Sequence, residues 1–172
     1  MIKSKSGFTI VELLVVIVVI GILASIVVVS YNGVQKKTRN ADRYTQVKAW
    51  EKLFQLYKAK YGTFPSATSG TTYCLGSNFP NGKCREYQTS GSNAYLESNN
   101  AALMTEIKKI GSLPTNNPMP VNNWLVGPYV TMWTTNLQIT QDFEGGPGDC
   151  PPGMDYYWDD GNGALICGIM VN

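Results

Sequence analysis

The sequence contains no histidine, no basic residue after Lys109 and no proline before Pro65. Without histidine the commonest general base and transition-metal ligand is missing, so we expect neither an enzyme nor a cofactor. The part of the chain after Lys109 carries six acidic residues instead, and that charge would repel nucleic acid. The absence of proline from the first part of the chain permits one long helix there.

A long apolar run extends from Ile10 to Val29, and its only strongly polar residues are Glu12 and Ser25. Twenty helical residues rise about 30 Å, which matches the hydrocarbon core of a bilayer. The run therefore predicts a membrane-spanning helix. An ionised carboxylate there costs at least about 2.5–3.5 kcal/mol, so we interpret Glu12 as a functional residue with a specific partner.

A short polar leader, Met1–Gly7, precedes the apolar run and contains Lys3 and Lys5 but no acidic residue. A secretory signal peptide also begins with basic residues, but its apolar region is shorter, about 7–15 residues, and ends at a small-residue cleavage site. Cleavage of such a signal near residues 28–30 and a plain uncleaved membrane anchor both remain alternatives.

The segment from Lys3 to about Ser30 resembles the type IV pilins and the related secretion pseudopilins. The resemblance rests on the basic leader, on Gly7 and the aromatic residue after it, on Thr9 and Glu12, and on the unbroken apolar helix. It implies that a prepilin peptidase cuts between Gly7 and Phe8 and methylates the new amino group of Phe8. It also implies that Glu12 pairs with that amino group, usually on a neighbouring subunit, during assembly.

We expect the helix to continue to Lys60, because residues 31–60 have helical periodicity and no proline. Apolar residues recur there at spacings of three and four, at Val47, Trp50, Phe54, Tyr57 and Tyr61. This stripe predicts packing against the globular part of the chain. Gly62 and Pro65 would end the helix, and pilins often end their long helix with a similar run.

Residues 66–98 are rich in Ser, Thr, Gly and Asn, and we expect an irregular segment there. A short helix follows at residues 101–110, with Asn99 or Asn100 as its cap, and then a proline-marked extended connection. Strands are predicted at residues 129–133, 137–140, 156–158 and 164–171, with a hairpin turn at Asp159–Gly163.

The predicted fold is therefore α+β: a long N-terminal helix, membrane-spanning in its first half, packs its second half against a small antiparallel sheet. We expect a leader at 1–7, a membrane and polymerisation helix at 8–30, an amphipathic half-helix at 31–60 and a globular domain at 61–172.

Four cysteines, Cys74, Cys84, Cys150 and Cys167, include no close metal-binding pair, so we interpret them as disulfides formed in an oxidising compartment. Four cysteines allow three connectivities, and we favour the local pairs Cys74–Cys84 and Cys150–Cys167.

Because disulfides form in an oxidising compartment, we expect the C-terminal domain to lie outside the cytoplasm. The positive-inside rule favours the opposite orientation. The basic cluster behind the span comprises Lys36, Lys37, Arg39 and Arg43. We expect this cluster to meet lipid headgroups on the outer side.

Two charged groups of residues have a second interpretation. The acidic residues are Asp142, Glu144, Asp149, Asp155, Asp159 and Asp160. We expect them to lie in solvated loops, with calcium binding as the alternative. The basic residues Lys83, Arg85, Lys108 and Lys109 lie near tyrosines in the sequence, but they form too thin a patch to predict DNA binding.

The resemblance implies a structural subunit of a type IV pilus-like filament, with adhesion, motility and DNA uptake as open roles. The implied partners are copies of the chain and other pilins, the prepilin peptidase, an assembly platform with its ATPase, and the membrane before assembly. The precursor would be a single-pass membrane protein and the assembled filament extracellular. A pseudopilin of a type II-like secretion system and a membrane-anchored adhesin are the alternatives.

Overall fold

The computed structural model describes residues 7, 9–66, 69–77, 79, 82–87, 95–97, 100–115, 119–121 and 124–172, without the side chains of residues 27–30, 87, 95–97, 119 and 125. Two helices are present in these ranges, α1 (Ile10–Tyr61) and α2 (Ala101–Lys108). The chain divides into two units, Met1–Arg39 and Asn40–Asn172. The long first helix predicted from the sequence is confirmed.

In the described part of the chain, nine strands form two antiparallel sheets. The strands are β1 (Thr71–Cys74), β2 (Lys83–Tyr87), β3 (Tyr95–Glu97), β4 (Met119–Val121), β5 (Trp124–Val126), β6 (Tyr129–Met132), β7 (Leu137–Glu144), β8 (Asp155–Asp159) and β9 (Ala164–Val171). The larger sheet has the order β1-β6-β7-β9-β8, and the smaller sheet has the order β3-β2-β5-β4. The α+β fold class is confirmed.

The apolar stripe of α1 packs against the larger sheet. Val47, Trp50 and Phe54 are fully buried in one core cluster with Ile139 and Phe143 of β7. Alternate residues of β7 face this core, as the period of two in a strand requires. The stripe prediction is wrong only for Tyr61, which is 44 % exposed.

The position of Tyr61 explains its exposure. Tyr61 is the last residue of α1, and its ring lies 4.6 Å from the ring of Tyr57 rather than in the core. Gly62 follows with φ of 78°, and its N–H donates to the carbonyl of Lys58 at 2.8 Å, which ends the helix as predicted.

The later strands match the predictions closely. The hairpin between β8 and β9 is formed at the predicted turn, and β7 extends to Glu144, four residues beyond its predicted end. Five short strands were not predicted, however. The prediction of an irregular segment at 66–98 is wrong where β1, β2 and β3 form, and β4 and β5 follow the proline-rich connection.

Helix α2 buries Leu103, Met104 and Ile107. Asn100 stands at its N-cap, but no side-chain capping bond forms there, so the capping prediction is wrong for Asn100. Its side-chain amide donates instead to the carbonyls of Cys74 and Gly76, at 2.7 and 2.8 Å. Asn100 therefore holds the loop after β1 against the start of α2. Asn99 lies outside the described residues.

Asn40 and Arg43 connect α1 to the end of β7. The Asn40 side chain donates to the carbonyl of Glu144 at 2.8 Å and accepts from the N–H of Glu144 at 2.9 Å. Arg43 is 1 % exposed and bonds to Glu144 Oε1 at 3.0 Å and to the carbonyl of Pro120 in β4 at 3.1 Å. The prediction that Arg43 meets lipid headgroups is therefore wrong, because its guanidinium is committed inside the fold.

A second arginine joins the two sheets. Arg85 of β2 donates from Nε to both oxygens of Asp142 on β7, at 3.2 and 2.9 Å. Its guanidinium carbon lies 3.8 Å from the centre of the Trp124 ring. Asp142 is 1 % exposed, and Glu144 is 17 % exposed and paired with Arg43, so the prediction of solvated acidic loops is wrong at these two positions of β7. Burial raises the pKa of Asp142 to about 6, and the opposing attraction of Arg85 is smaller.

Candidate assembly site at the start of the first helix

The first turn of α1 is closed by reciprocal hydrogen bonds between Thr9 and Glu12. The N–H and the hydroxyl of Thr9 each donate to Glu12 Oε2 at 2.8 Å. The N–H of Glu12 donates to Thr9 Oγ1 at 3.2 Å. This arrangement is a capping box, in which the threonine at the N-cap and the glutamate three residues later satisfy N–H groups at the helix start.

The capping box fixes the carboxylate beside the expected cleavage site. Glu12 Oε2 accepts both bonds from Thr9, so neither bond occupies Oε1. A cut between Gly7 and Phe8 would place a new cationic amino group directly before Thr9. Gly7 is exposed, and no described atom lies within 4 Å of the position that a Cβ would take there. Phe8 itself lies outside the described residues.

The rest of the apolar run offers an extended hydrophobic surface. Helix α1 is long and apolar enough to cross a membrane, and none of its most apolar stretch is buried. Among the described side chains between Ile10 and Ile26, the large apolar ones are all exposed. The hydroxyl of Ser25 donates to the carbonyl of Ile22 at 2.7 Å, so this polar group is satisfied within the helix. The surface is compatible with lipid and with the helices of other chains.

Disulfides link Cys74 to Cys84 and Cys150 to Cys167. These are the local pairs that the sequence analysis favoured. The first disulfide joins β1 to β2 and therefore connects the two sheets. The second fixes β9 to the loop before β8. Neither pair lies near Glu12 in the sequence, so the cysteines belong to the globular part and not to the candidate assembly site.

Most of the remaining charged groups have partners within the chain. Lys83 pairs with Glu86 at 2.7 Å, and Lys109 pairs with Glu106 at 2.6 Å. Asp160 accepts bonds from the N–H groups of Asn162 and Ala164 in the hairpin turn. Within the described ranges, no three His, Cys, Asp or Glu side chains come together as a metal-binding group.

Comparison with known proteins agrees with the geometry of the N-terminal segment. A family model described as the prokaryotic N-terminal methylation motif matches residues 2–28. The type II secretion system core protein G of Aeromonas hydrophila is 35 % identical over 68 residues, which cover 40 % of this chain and 48 % of that protein. The resemblance to the pilin and pseudopilin family is confirmed.

Two further relatives show the extent of this similarity. The core protein G of Vibrio cholerae is 34 % identical over 68 residues, covering 40 % of this chain and 47 % of that protein. That of Klebsiella pneumoniae is 28 % identical over 89 residues, covering 52 % and 64 %. The chain spans about half the length of most curated relatives it matches. No solved structure matches the chain.

Sequence reasoning identified Glu12 but missed its contact with Thr9. The signal was available, because a threonine followed three residues later by a glutamate before an apolar run predicts a capping box. The polar connections made by Asn40, Arg43 and Arg85 were also missed. These depend on contacts with residues far along the chain, and charge alone suggested exposure.

Proposed function

We propose that the chain is a structural subunit of a type IV pilin-like filament, made as a membrane-anchored precursor and cleaved between Gly7 and Phe8. The observation that carries the proposal is the capping box of Thr9 and Glu12 at the head of a 52-residue helix, within the matched methylation motif. The expected partners are copies of the chain, related pilins, the prepilin peptidase and a membrane assembly platform with its ATPase.

Within this class, the comparisons favour a secretion pseudopilin over the surface pilus that the sequence analysis placed first. The three relatives described above each bear the name type II secretion system core protein G. We therefore propose a filament that serves a type II-like secretion system. A role in adhesion or motility is the second candidate, and the experiment below separates the two.

The role proposed for Glu12 follows from its surroundings. Before cleavage, the backbone N–H of Thr9 and the helix N-terminus already favour a negative charge at Glu12. Cleavage then creates an amino group at Phe8, and a cation beside the helix N-terminus is unfavourable unless a carboxylate accompanies it. Within the membrane, an unpaired charge costs several kcal/mol, whereas a paired one roughly breaks even. Assembly would therefore favour a neighbouring subunit whose Phe8 amino group pairs with this Glu12 carboxylate.

Deletion of the coding sequence, with and without complementation, tests the secretion role. The folded proteins in the culture medium and the polymer released by shearing are measured in the same cells. We expect deletion to leave folded export substrates in the periplasm and complementation to restore their release. Unchanged secretion together with loss of surface filaments would favour the pilus. If the chain remains unprocessed and never sediments as polymer, it is an anchored binding protein, and the filament proposal is wrong.

A further inference from the structure

Strand β8 carries an exposed acidic–aromatic patch, formed by Asp155, Tyr157 and Trp158. Both aromatic side chains are 45 % exposed, although such rings are usually buried in a protein of this size. Strand β8 is an edge of the larger sheet, and among the described strands it pairs with β9 alone. Asp155 is exposed, and no described residue forms a hydrogen bond or ion pair with its carboxylate.

A bulge in β8 places the three side chains on one face of the sheet. Asp155 is opposite Gly168, Trp158 is opposite Ile166, and the register shifts between Tyr156 and Trp158. Without this shift, Tyr157 and Trp158 would alternate between the two faces. The Tyr157 ring lies over Gly168, where a Cβ would be 2.7 Å from Tyr157 Cε2.

That face is turned away from α1. In β9, Leu165 and Cys167 belong to the core cluster beneath the helix, so the residues that alternate with them, Ile166 and Gly168, face the other side. The smaller sheet covers one end of this outer face, where Ala164 packs with Trp124. The described part of the smaller sheet does not cover the other end of this face. The acidic–aromatic patch lies there, and its two aromatic side chains are exposed.

Helix α1 carries a complementary basic–apolar stripe on its solvent side, formed by Lys52, Leu56 and Lys60. These residues are four apart and therefore follow one line along the helix. Leu56 is 45 % exposed between two exposed lysines. No described residue forms a hydrogen bond or ion pair with the side-chain ammonium of Lys52, whereas the Nζ of Lys60 reaches the carbonyl of Lys109 at 3.4 Å.

The two surfaces match in chemistry and in dimension. Lys52 and Leu56 are separated by about 6 Å along the helix axis. Asp155 and Tyr157 are separated by about 7 Å along the strand. A carboxylate can therefore meet Lys52 while an aromatic ring covers Leu56. The trailing lysine, Lys60, would lie near the rings, which attract cations.

We propose that the acidic–aromatic patch of one copy of the chain docks on the basic–apolar stripe of the next copy. The inference rests on the proposed filament function and names the surfaces that the globular parts use. Because the patch and the stripe lie on opposite sides of the globular unit, the contact is head-to-tail, which is the kind of contact that a filament repeats along its length. The alternative contact, β8 against β8, would bring Asp155 of one copy beside Asp159 of the other, and like charges across strands are destabilising.

A charge exchange tests the contact in cells that carry the assembly machinery. We expect Asp155→Lys and Lys52→Asp each to lower the yield of sheared polymer roughly fivefold, the scale of an exposed charge pair, and the double variant to restore it. Asp42→Lys and Lys108→Asp make the same charge changes at other exposed positions and should leave the yield unchanged. Unaltered yield in both single variants, or a double variant worse than either, overturns the proposal.

Crosslinking between introduced thiols identifies the occupant directly. All four native cysteines are in disulfides, so Asp155→Cys and Lys52→Cys supply the reactive thiols. In sheared polymer, a short bifunctional thiol reagent should give a ladder of multimers only from the double variant. Dimers from Asp155→Cys alone would indicate β8 pairing and overturn the head-to-tail contact. If the thiol of Asp155→Cys reacts with maleimide equally in polymer and in detergent-dispersed chain, the patch is uncovered in the polymer, which also overturns the proposal.

The same experiments separate this inference from the proposed function. If the unmodified chain forms no sedimentable polymer, the filament function itself is wrong. If the unmodified chain polymerises and the charge variants polymerise equally well, the function stands and only the docking surfaces are wrong.

Discussion

Arg43 of α1 and Glu144 of β7 form an ion pair of 3.0 Å, in which the arginine side chain is 1 % exposed and the glutamate 17 %. Arg43 also bonds to Asn40 and to the carbonyl of Pro120, so one guanidinium joins the helix to both sheets. A buried ion pair adds little to the net stability of a fold. The loss of one partner is costly, however, because the other charged group stays buried without its hydrogen bonds.

Replacement of Arg43 by methionine should therefore destabilise the globular part strongly. We expect the free energy of unfolding to fall by about 3 kcal/mol, because Glu144 and the Pro120 carbonyl lose their partner inside the fold. Denaturant titration of the detergent-solubilised chain, followed by tryptophan fluorescence, measures the change. Lys48→Met is the matched control: the Lys48 side chain is 39 % exposed, so the loss of its bond to Glu51 should change stability by about 0.5 kcal/mol at most. Equal losses in the two variants would contradict the role assigned to Arg43.

Asp142 predicts a pH dependence of stability. Burial raises its pKa from 3.8 to about 6 in the folded protein, despite Arg85 and the more distant Arg43. The folded state then binds a proton more tightly than the unfolded state, so the contribution of Asp142 is most favourable below pH 4 and is lost as the pH rises to about 6. Asp160 adds to this shift, whereas the arginines oppose it.

The comparison of Asp142→Asn with the unmodified chain isolates this effect from other acidic groups. Across the interval from pH 4 to pH 6, the unmodified chain should lose more unfolding free energy than the variant. The measurement is a series of denaturant titrations at fixed ionic strength. A loss that is larger in the variant would mean that attraction by Arg85 outweighs burial.

The sequence predicted those parts of the fold whose signals are local. Helix α1 has long periodicity and a glycine stop, and β9 is a run of eight apolar and small residues bounded by a turn. Strands β1 to β5 have only three to five residues each. Two of the pairings that hold them join distant segments, β1 with β6 and β2 with β5. No local periodicity can reveal such pairing.

The same reasoning explains what was found at the candidate site. Glu12 was identified because a carboxylate in an apolar run is costly in lipid, a property that needs no structure. Arg43 and Asp142 were misplaced on the surface because charge usually indicates exposure, and only the tertiary fold brings each one to its partner.

Processing should depend on the absence of a side chain at residue 7. A Cβ on Gly7 would meet no described atom, so a larger residue should not disturb the precursor itself. We expect Gly7→Leu to leave full-length precursor in the membrane, because a peptidase must bring the backbone close at that position. Mass spectrometry of the membrane fraction measures the ratio of precursor to mature chain. Normal trimming of Gly7→Leu would show that the cut lies elsewhere or that another peptidase acts.

The capping box allows the charge of Glu12 to be separated from its structural role. Glutamine is also accepted at the third helical position of a capping box, so Glu12→Gln should keep the bonds to Thr9 and lose only the charge. Glu12→Leu loses both. We expect both variants to be inserted and cleaved. The leucine variant should lose about 1 kcal/mol of helix stability, so its first helical turn should fray.

Polymer yield from the two Glu12 variants then decides between pairing and capping. If Glu12 pairs with the amino group of a neighbouring Phe8, the glutamine variant should polymerise as poorly as the leucine variant, because the amino group would then enter the apolar helix bundle unpaired. If capping alone matters, the glutamine variant should give polymer at the level of the unmodified chain. Sedimentation of sheared material, with each variant as the sole subunit, distinguishes the two. Thr9→Val removes the hydroxyl bonds and keeps the carboxylate, so under the pairing mechanism it should retain most of the polymer that Glu12→Gln loses.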